Sequence, residues 1–224
     1  MQRSPVGDVR AGSGIVTQAA ARDNRWRADA RLRYDACGMS AQVKGIVLAS
    51  RKHFVAARFG DDALEKIIAT LPPADRDVVA GNVLPSGWVS MDTAMRFDAA
   101  IVAVMGGAAE SALRDLGRAS AQENLERFQH AFVQGKTPMT FLEQTPAIYR
   151  MYYASGSREF VATGERSARL ETRDAEGVTE ADCETIMGWH ECALEHVGAK
   201  NIRITHPTCR ARGGATCVYE LAWD

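Results

Sequence analysis

The sequence predicts an α+β fold, in which a helical N-terminal half packs on a small antiparallel sheet with a C-terminal helix and β-hairpin. Three observations predict it. Apolar residues recur at helical spacing from Val43 to about Tyr153. Arg158 to Thr172 then alternates in the manner of one or two strands. The chain ends in a helix that runs into two strand-like segments, NIRITHPTC and TCVYELAW, joined by RARGGA. Helices first, then strand, helix and hairpin is an α+β order.

Each element has its own signal. Residues 1–38 are rich in Arg, Ala, Gly and Asp and hold no apolar period, so they predict a poorly ordered extension, with a single domain over 39–224. Met39 directly precedes the first patterned segment and could serve as an alternative start. Val43, Ile46, Val47, Leu48, Phe54, Val55 and Phe59 lead to a stop at Gly60. Asp61 or Asp62 then opens a helix that carries Leu64, Ile67, Ile68 and Leu71 and ends at Pro72 and Pro73. The segment GNVLPSGWVSMD is expected to bring Trp88 inside and to turn into a helix capped by Asp92 or Thr93. Its stripe is Ala94, Phe97, Ile101, Val104 and Met105, and Gly106-Gly107 marks its end. Leu113, Leu116, Ala121, Leu125, Phe128 and Phe132 continue a helical stripe until Gly135 and Pro138, before TPMTFLEQTPAIYRMYYASG. The last helix, over 179–197, carries the capping signature Thr179-x-x-Asp182.

Composition excludes several function classes. With 27 basic and 28 acidic residues the chain has no field to attract nucleic acid or an anionic membrane. The uncharged run Ala99 to Ala109 is too short to span a bilayer. Five cysteines without a CxxC pair point to a reducing cytoplasm rather than a secreted disulfide framework. No phosphate loop or G-x-S-x-G elbow is present, and the histidines of HECALEH, His190 and His196, are too far apart for a zinc-protease helix. A non-enzymatic role is therefore expected.

Two candidate sites remain. On the last helix Cys183, Ile186, Met187, His190, Ala193, Leu194 and Val197 share one face, which aims Cys183 at the sheet. With His206, Cys209 and Cys217 of the hairpin it makes a set of four N/S ligands suited to tetrahedral zinc. The same cysteines could instead pack without metal as small apolar residues, or form a regulatory disulfide. Trp88, Phe97, Ile101, Phe128, Phe132, Tyr149 and Tyr152 lie on apolar stripes and are candidates for a ligand pocket; such stripes also build ordinary cores.

The opening VKGIVLASRKHFVAARFGDDALEKII resembles the start of haem nitric-oxide/oxygen-binding domains. The ending CALEHVGAKNIRITHPTCRARGGATCVYELAW resembles 4-vinyl-reductase-like small-molecule-binding domains. Both groups are related in fold to Bet3-type trafficking subunits. Across 43–224, including WVSMD, DLGR and FLEQTPAIYRMYYASG, the chain is most similar to a myxobacterial paralogous family of that superfamily. The resemblance implies that the haem group's proximal histidine falls on Tyr149 here, which disfavours haem. It also implies that His206 stands where related aromatic-sensing regulators have a glutamate beside three zinc-binding cysteines. No cofactor is expected, with zinc at the cysteine set as the alternative and haem disfavoured. The expected role is a sensory or binding module for a small apolar or aromatic ligand, signalling to a protein partner and compatible with a homodimer. A Bet3-like interaction subunit without a ligand, and a tetrapyrrole reductase accessory, are the alternatives.

Overall fold

The structure, a computed structural model, describes residues 41–105, 109–127 and 129–224; the 1–38 extension, Met39 and Phe128 lie outside these residues. Within them the chain order is β1 (Gln42–Lys44), α1 (Gly45–Phe59), α2 (Asp61–Thr70), α3 (Pro73–Ala80), β2 (Trp88–Ser90), α4 (Met91–Met105), α5 (Ala109–Arg127), α6 (Pro138–Leu142), α7 (Thr145–Tyr152), β3 (Ser157–Gly164), β4 (Ser167–Arg173), α8 (Glu180–His196), β5 (Arg203–Thr208) and β6 (Cys217–Ala222). This is the α+β arrangement that the sequence predicts, with the helices first.

The local signals explain most boundaries. Gly60 separates α1 from α2 at φ 87°, a conformation that only glycine adopts without strain. The two prolines end α2 as expected, but Pro73 also starts α3, because its fixed φ and missing N–H suit the first turn of a helix. The block TPMTFLEQTPAIYRMYY divides into α6 and α7. Thr137 caps α6, and Pro146 sits in the first turn of α7. The Thr179 side chain accepts a hydrogen bond from the Asp182 amide at 3.1 Å and fixes the start of α8.

β1 and β2 pair antiparallel with Val43 opposite Val89. The main sheet has the order β3-β4-β6-β5, antiparallel throughout. Its β5 edge is irregular, since Thr205 faces Glu220 while Thr208 faces Val218. The extra residue is accommodated at His206-Pro207, where an edge position lets proline omit its hydrogen bond.

Two features hold the helical layer. The first is the crossing of α5 and α8, where a Cβ built on Gly117 would meet the Thr185 carbonyl oxygen at 2.0 Å and one built on Gly188 would meet that of Arg114 at 2.1 Å. Ion pairs flank this backbone contact, from Arg114 to Glu184 and Glu191 and from Arg118 to Glu195. The second is a buried pair between α1 and α4, where Arg51 Nε donates to Asp98 Oδ1 at 2.7 Å and Nη2 to Oδ2 at 3.1 Å. Ser50 and Ser120, whose hydroxyls lie 2.7 Å apart, tie α5 to the same region.

The expectation for Trp88 is corrected. Its ring is 41% exposed on β2, covered on one face by Lys44 Nζ at 3.8 Å from the ring centroid, so a cation–π contact takes the place of burial. Val104 likewise leaves the stripe of α4 and is 51% exposed. Among the described residues no helix is long and apolar enough to cross a membrane.

Candidate metal centre and ligand cavity

Helix α8 serves both candidate sites, because its residues project toward α5 and α7 as well as toward the sheet. On the helical side lies a cavity of about 60 Å³. Tyr149 and Tyr152 of α7 and Tyr153 just after it line it together with Ile186, Trp189 and His190 of α8; Arg51, Gly117 and Arg158 also reach it. The tyrosines are anchored. Tyr152 donates to Gln129 Oε1 at 2.9 Å, Tyr153 donates to Asp182 Oδ1 at 3.0 Å, and Tyr149 donates to the Ser155 carbonyl at 2.9 Å. Tyr149 and Tyr153 stack with centroids 4.8 Å apart. Burial raises all three phenols, so they are neutral donors.

The polar end of the cavity is cationic and incompletely paired. Alternation along β3 turns Arg158 inward, leaving it 6% exposed. Its Nε donates to Thr172 Oγ1 at 3.0 Å and its Nη1 lies 3.4 Å from His190 Nε2, both uncharged partners, while Nη2 is buried without a partner. Trp189 Nε1 is also buried, with only a loose contact to the Tyr152 hydroxyl. Among the described residues no carboxylate lies within ion-pair distance of Arg158. The cavity lining therefore carries one donor without a partner, Arg158 Nη2, a state that costs stability until an acceptor meets it.

His190 Nδ1 lies 2.8 Å from the Ile186 carbonyl and donates to it, which leaves Nε2 to accept from Arg158. Burial, reinforced by the Arg158 charge, lowers its pKa from 6.5 to about 3. The unfolded chain thus takes up this proton more readily than the folded one. The associated stability is complete above about 6.5 and is lost as pH falls toward about 3. Denaturant midpoints measured from neutral to acid pH should fall less steeply in His190→Gln than in the parent; equal slopes would show that His190 does not titrate in this way.

On the sheet side the cysteine set comes together. Cys183 Sγ lies 3.8 Å from Cys209 Sγ and 3.9 Å from Cys217 Sγ. With His206 the four ligand atoms all lie within 4.8 Å of one another. The three cysteines are buried and carry no disulfide. Hydrogen bonding from Cys183, then Cys217, holds the Cys209 thiol far below its ordinary range, and the Cys183 thiol is pushed up by the same contacts. Both ring nitrogens of His206 are buried without a partner, and the ring stacks on Tyr219 with centroids 4.4 Å apart. Alternation from the buried Ile204 already turns His206 inward, and the β5 irregularity, which falls before Thr208, brings Cys209 to the same side.

Residues 94–224 match a family described as "Protein of unknown function (DUF2378)". The chain belongs to this family. No curated protein matches it. Several solved structures share the fold. An H-NOX protein from S. oneidensis in the Fe(II)NO ligation state has a TM-score of 0.66 at 13% identity, covering 81% of this chain and 99% of that one. An unliganded Fe(II) H-NOX protein mutant from K. algicida has a TM-score of 0.63 at 13% identity, covering 81% and 96%. An oxygen-binding H-NOX domain related to soluble guanylate cyclases, in its oxygen complex, has a TM-score of 0.61 at 12% identity, covering 81% and 95%. At this identity the likeness establishes the fold alone. It agrees with the resemblance to haem nitric-oxide/oxygen-binding domains seen in the sequence.

Of the seven pocket candidates, Tyr149 and Tyr152 line the cavity. Phe97 and Ile101 do not; both are fully buried in the core. Phe132 is half-buried in a 3-10 turn and packs against that core. Trp88 is exposed, as noted above, and Phe128 lies outside the described residues. Sequence reading did not find Arg158, Trp189 or His190 as cavity groups. For Arg158 a signal exists, since a charged residue occupies an inward strand position two before Phe160.

Proposed function

We propose that this protein is a non-enzymatic sensory or binding module whose cavity takes a small, largely apolar or aromatic ligand with one acidic or acceptor end. The observation that carries this reading is the buried guanidinium of Arg158, whose Nη2 has no partner, on the lining of one cavity. A carboxylate there would gain a charge-assisted hydrogen bond and neutralise a buried guanidinium, while the tyrosine and isoleucine walls cover its apolar part. About 60 Å³ holds only a few water-sized groups, so an aromatic ring requires a wall side chain such as Ile186 to rotate. The fold shared with H-NOX domains supports a sensory role.

Haem forms no part of this reading. Tyr149, at the position that resemblance gives to the iron ligand, is a neutral phenol committed to the Ser155 carbonyl and stacked on Tyr153. The cavity is also far smaller than a porphyrin. Purified protein should show no Soret band.

The test is calorimetric titration of the full chain with benzoate and toluene, alongside native mass spectrometry for a co-purifying molecule. Both probes should bind, and Arg158→Met should weaken benzoate roughly tenfold or more while sparing toluene. If neither probe binds and nothing co-purifies, the alternative of an interaction subunit with a filled interior is the better account.

A further inference from the structure

We propose that Cys183, His206, Cys209 and Cys217 hold one zinc ion as a Cys3His centre, and that this ion staples the β5–β6 hairpin to α8. The proposal stands apart from the ligand reading, since no cavity donor takes part in it.

Four observations support the centre. The first is distance. Thiolates about 2.3 Å from a tetrahedral zinc lie about 3.8 Å apart, and Cys183 Sγ lies 3.8 and 3.9 Å from the other two sulfurs. The second is convergence. The ligands come from α8, the β5 bulge, the residue after β5 and the first residue of β6, yet their ligand atoms gather within 4.8 Å of one another. Thiols that served only as packing groups would have no need to meet at one point.

The third observation is His206. A buried imidazole ordinarily finds at least one hydrogen-bond partner, and here neither nitrogen has one. Zinc would satisfy one of them. The stack on Tyr219, with ring planes inclined by 4°, already fixes the plane of the ring.

The fourth is the turn between Cys209 and Cys217. The Gly214 amide donates to the Cys209 carbonyl at 2.8 Å and the Gly213 amide to that of Arg210 at 3.0 Å, with Gly213 at φ 88°. A Cβ on Gly214 would meet the Cys209 carbonyl oxygen at 2.9 Å, so the turn is closed tightly. That closure points the Arg210 amide at Cys217 Sγ at 3.4 Å, a donor that would stabilise a metal-bound thiolate. Three thiolates and a divalent cation leave one negative charge, and the turn itself carries Arg210 and Arg212.

The experiment is elemental analysis of full-length protein purified in reductant without chelator, read for zinc, iron and copper. The expected result is about one zinc per chain. Replacement by cobalt(II) should give the thiolate charge-transfer and visible ligand-field bands of a tetrahedral site, a readout on the parent sequence that does not depend on any variant folding. Cys209→Ser should lose most of the metal, and His206→Gln should weaken zinc at least tenfold in a chelator competition while the protein remains folded. Metal-free protein with every thiol titratable after denaturation would overturn the proposal in favour of packing. Metal-free protein with two thiols missing from that titration would overturn it in favour of a disulfide.

Discussion

Replacing Gly188 by alanine is expected to destabilise the domain by about 3 kcal/mol or more, at the severe end of overpacking effects, and Gly117→Ala is expected to act in the same way. In an exposed helix the change from glycine to alanine gains about 1 kcal/mol of helix propensity, so the sign of the effect depends on space. None is available. The new Cβ atoms would sit 2.1 Å from the Arg114 carbonyl oxygen and 2.0 Å from that of Thr185. Those atoms belong to helix backbone and cannot swing aside as a side chain would. The two helices would have to separate, opening the core beneath Leu116 and Met187 and straining the Arg114 ion pairs with Glu184 and Glu191. Denaturant unfolding of the two variants, with Ser111→Ala on the exposed side of α5 as control, measures the effect. Gly188→Ala protein as stable as the control would mean that the helices cross with more room than the structure shows.

Asp98→Ala should cost about 3–5 kcal/mol, as expected when one member of a buried ion pair is removed. Asp98 is fully buried and Arg51 is 4% exposed, so the truncation strands a guanidinium with only the Val47 carbonyl and Ser120 hydroxyl as weak, long contacts. The double variant Arg51→Met, Asp98→Leu should regain most of that loss, because it removes both charges together and leaves nothing unpaired. Equal losses in the single and double variants would show that shape at this position, rather than charge, holds α1 to α4.

Much of this molecule is legible in its sequence, and the exceptions have physical causes. Thr179-x-x-Asp182 marks the start of α8 because a cap is a local interaction, settled within one turn. The strands around Gly164 are equally visible through their alternation. The metal-ligand set can be assembled because helical periodicity places Cys183 and a tight glycine turn opposes Cys209 to Cys217. That His206 and Cys209, three residues apart, face the same side cannot be read, since it depends on a bulge that shows only in the pairing of two strands. Phe97 and Ile101 illustrate a second limit. An apolar stripe says that a side chain is buried, but whether it meets a neighbour or an empty volume is decided by helices distant in sequence. Trp88 illustrates a third, because a lysine that covers an aromatic face can substitute for a core. Gly117 and Gly188 are the hardest case. In sequence each looks like a weak point in its helix, whereas in the fold each is the place where two backbones touch.

That touching has a mechanical meaning. Side chains between helices act as cushions, since their rotamers let one helix slide or tilt over another at small cost. Where the carbonyls of α5 and α8 approach with no Cβ between them, the joint has no such compliance. The pair behaves as one lever, with the cavity residues Trp189 and His190 and the sheet-facing Cys183 carried on the same arm. The cavity and the cysteine set are thus borne by one helix whose crossing with α5 holds no side chain that could yield.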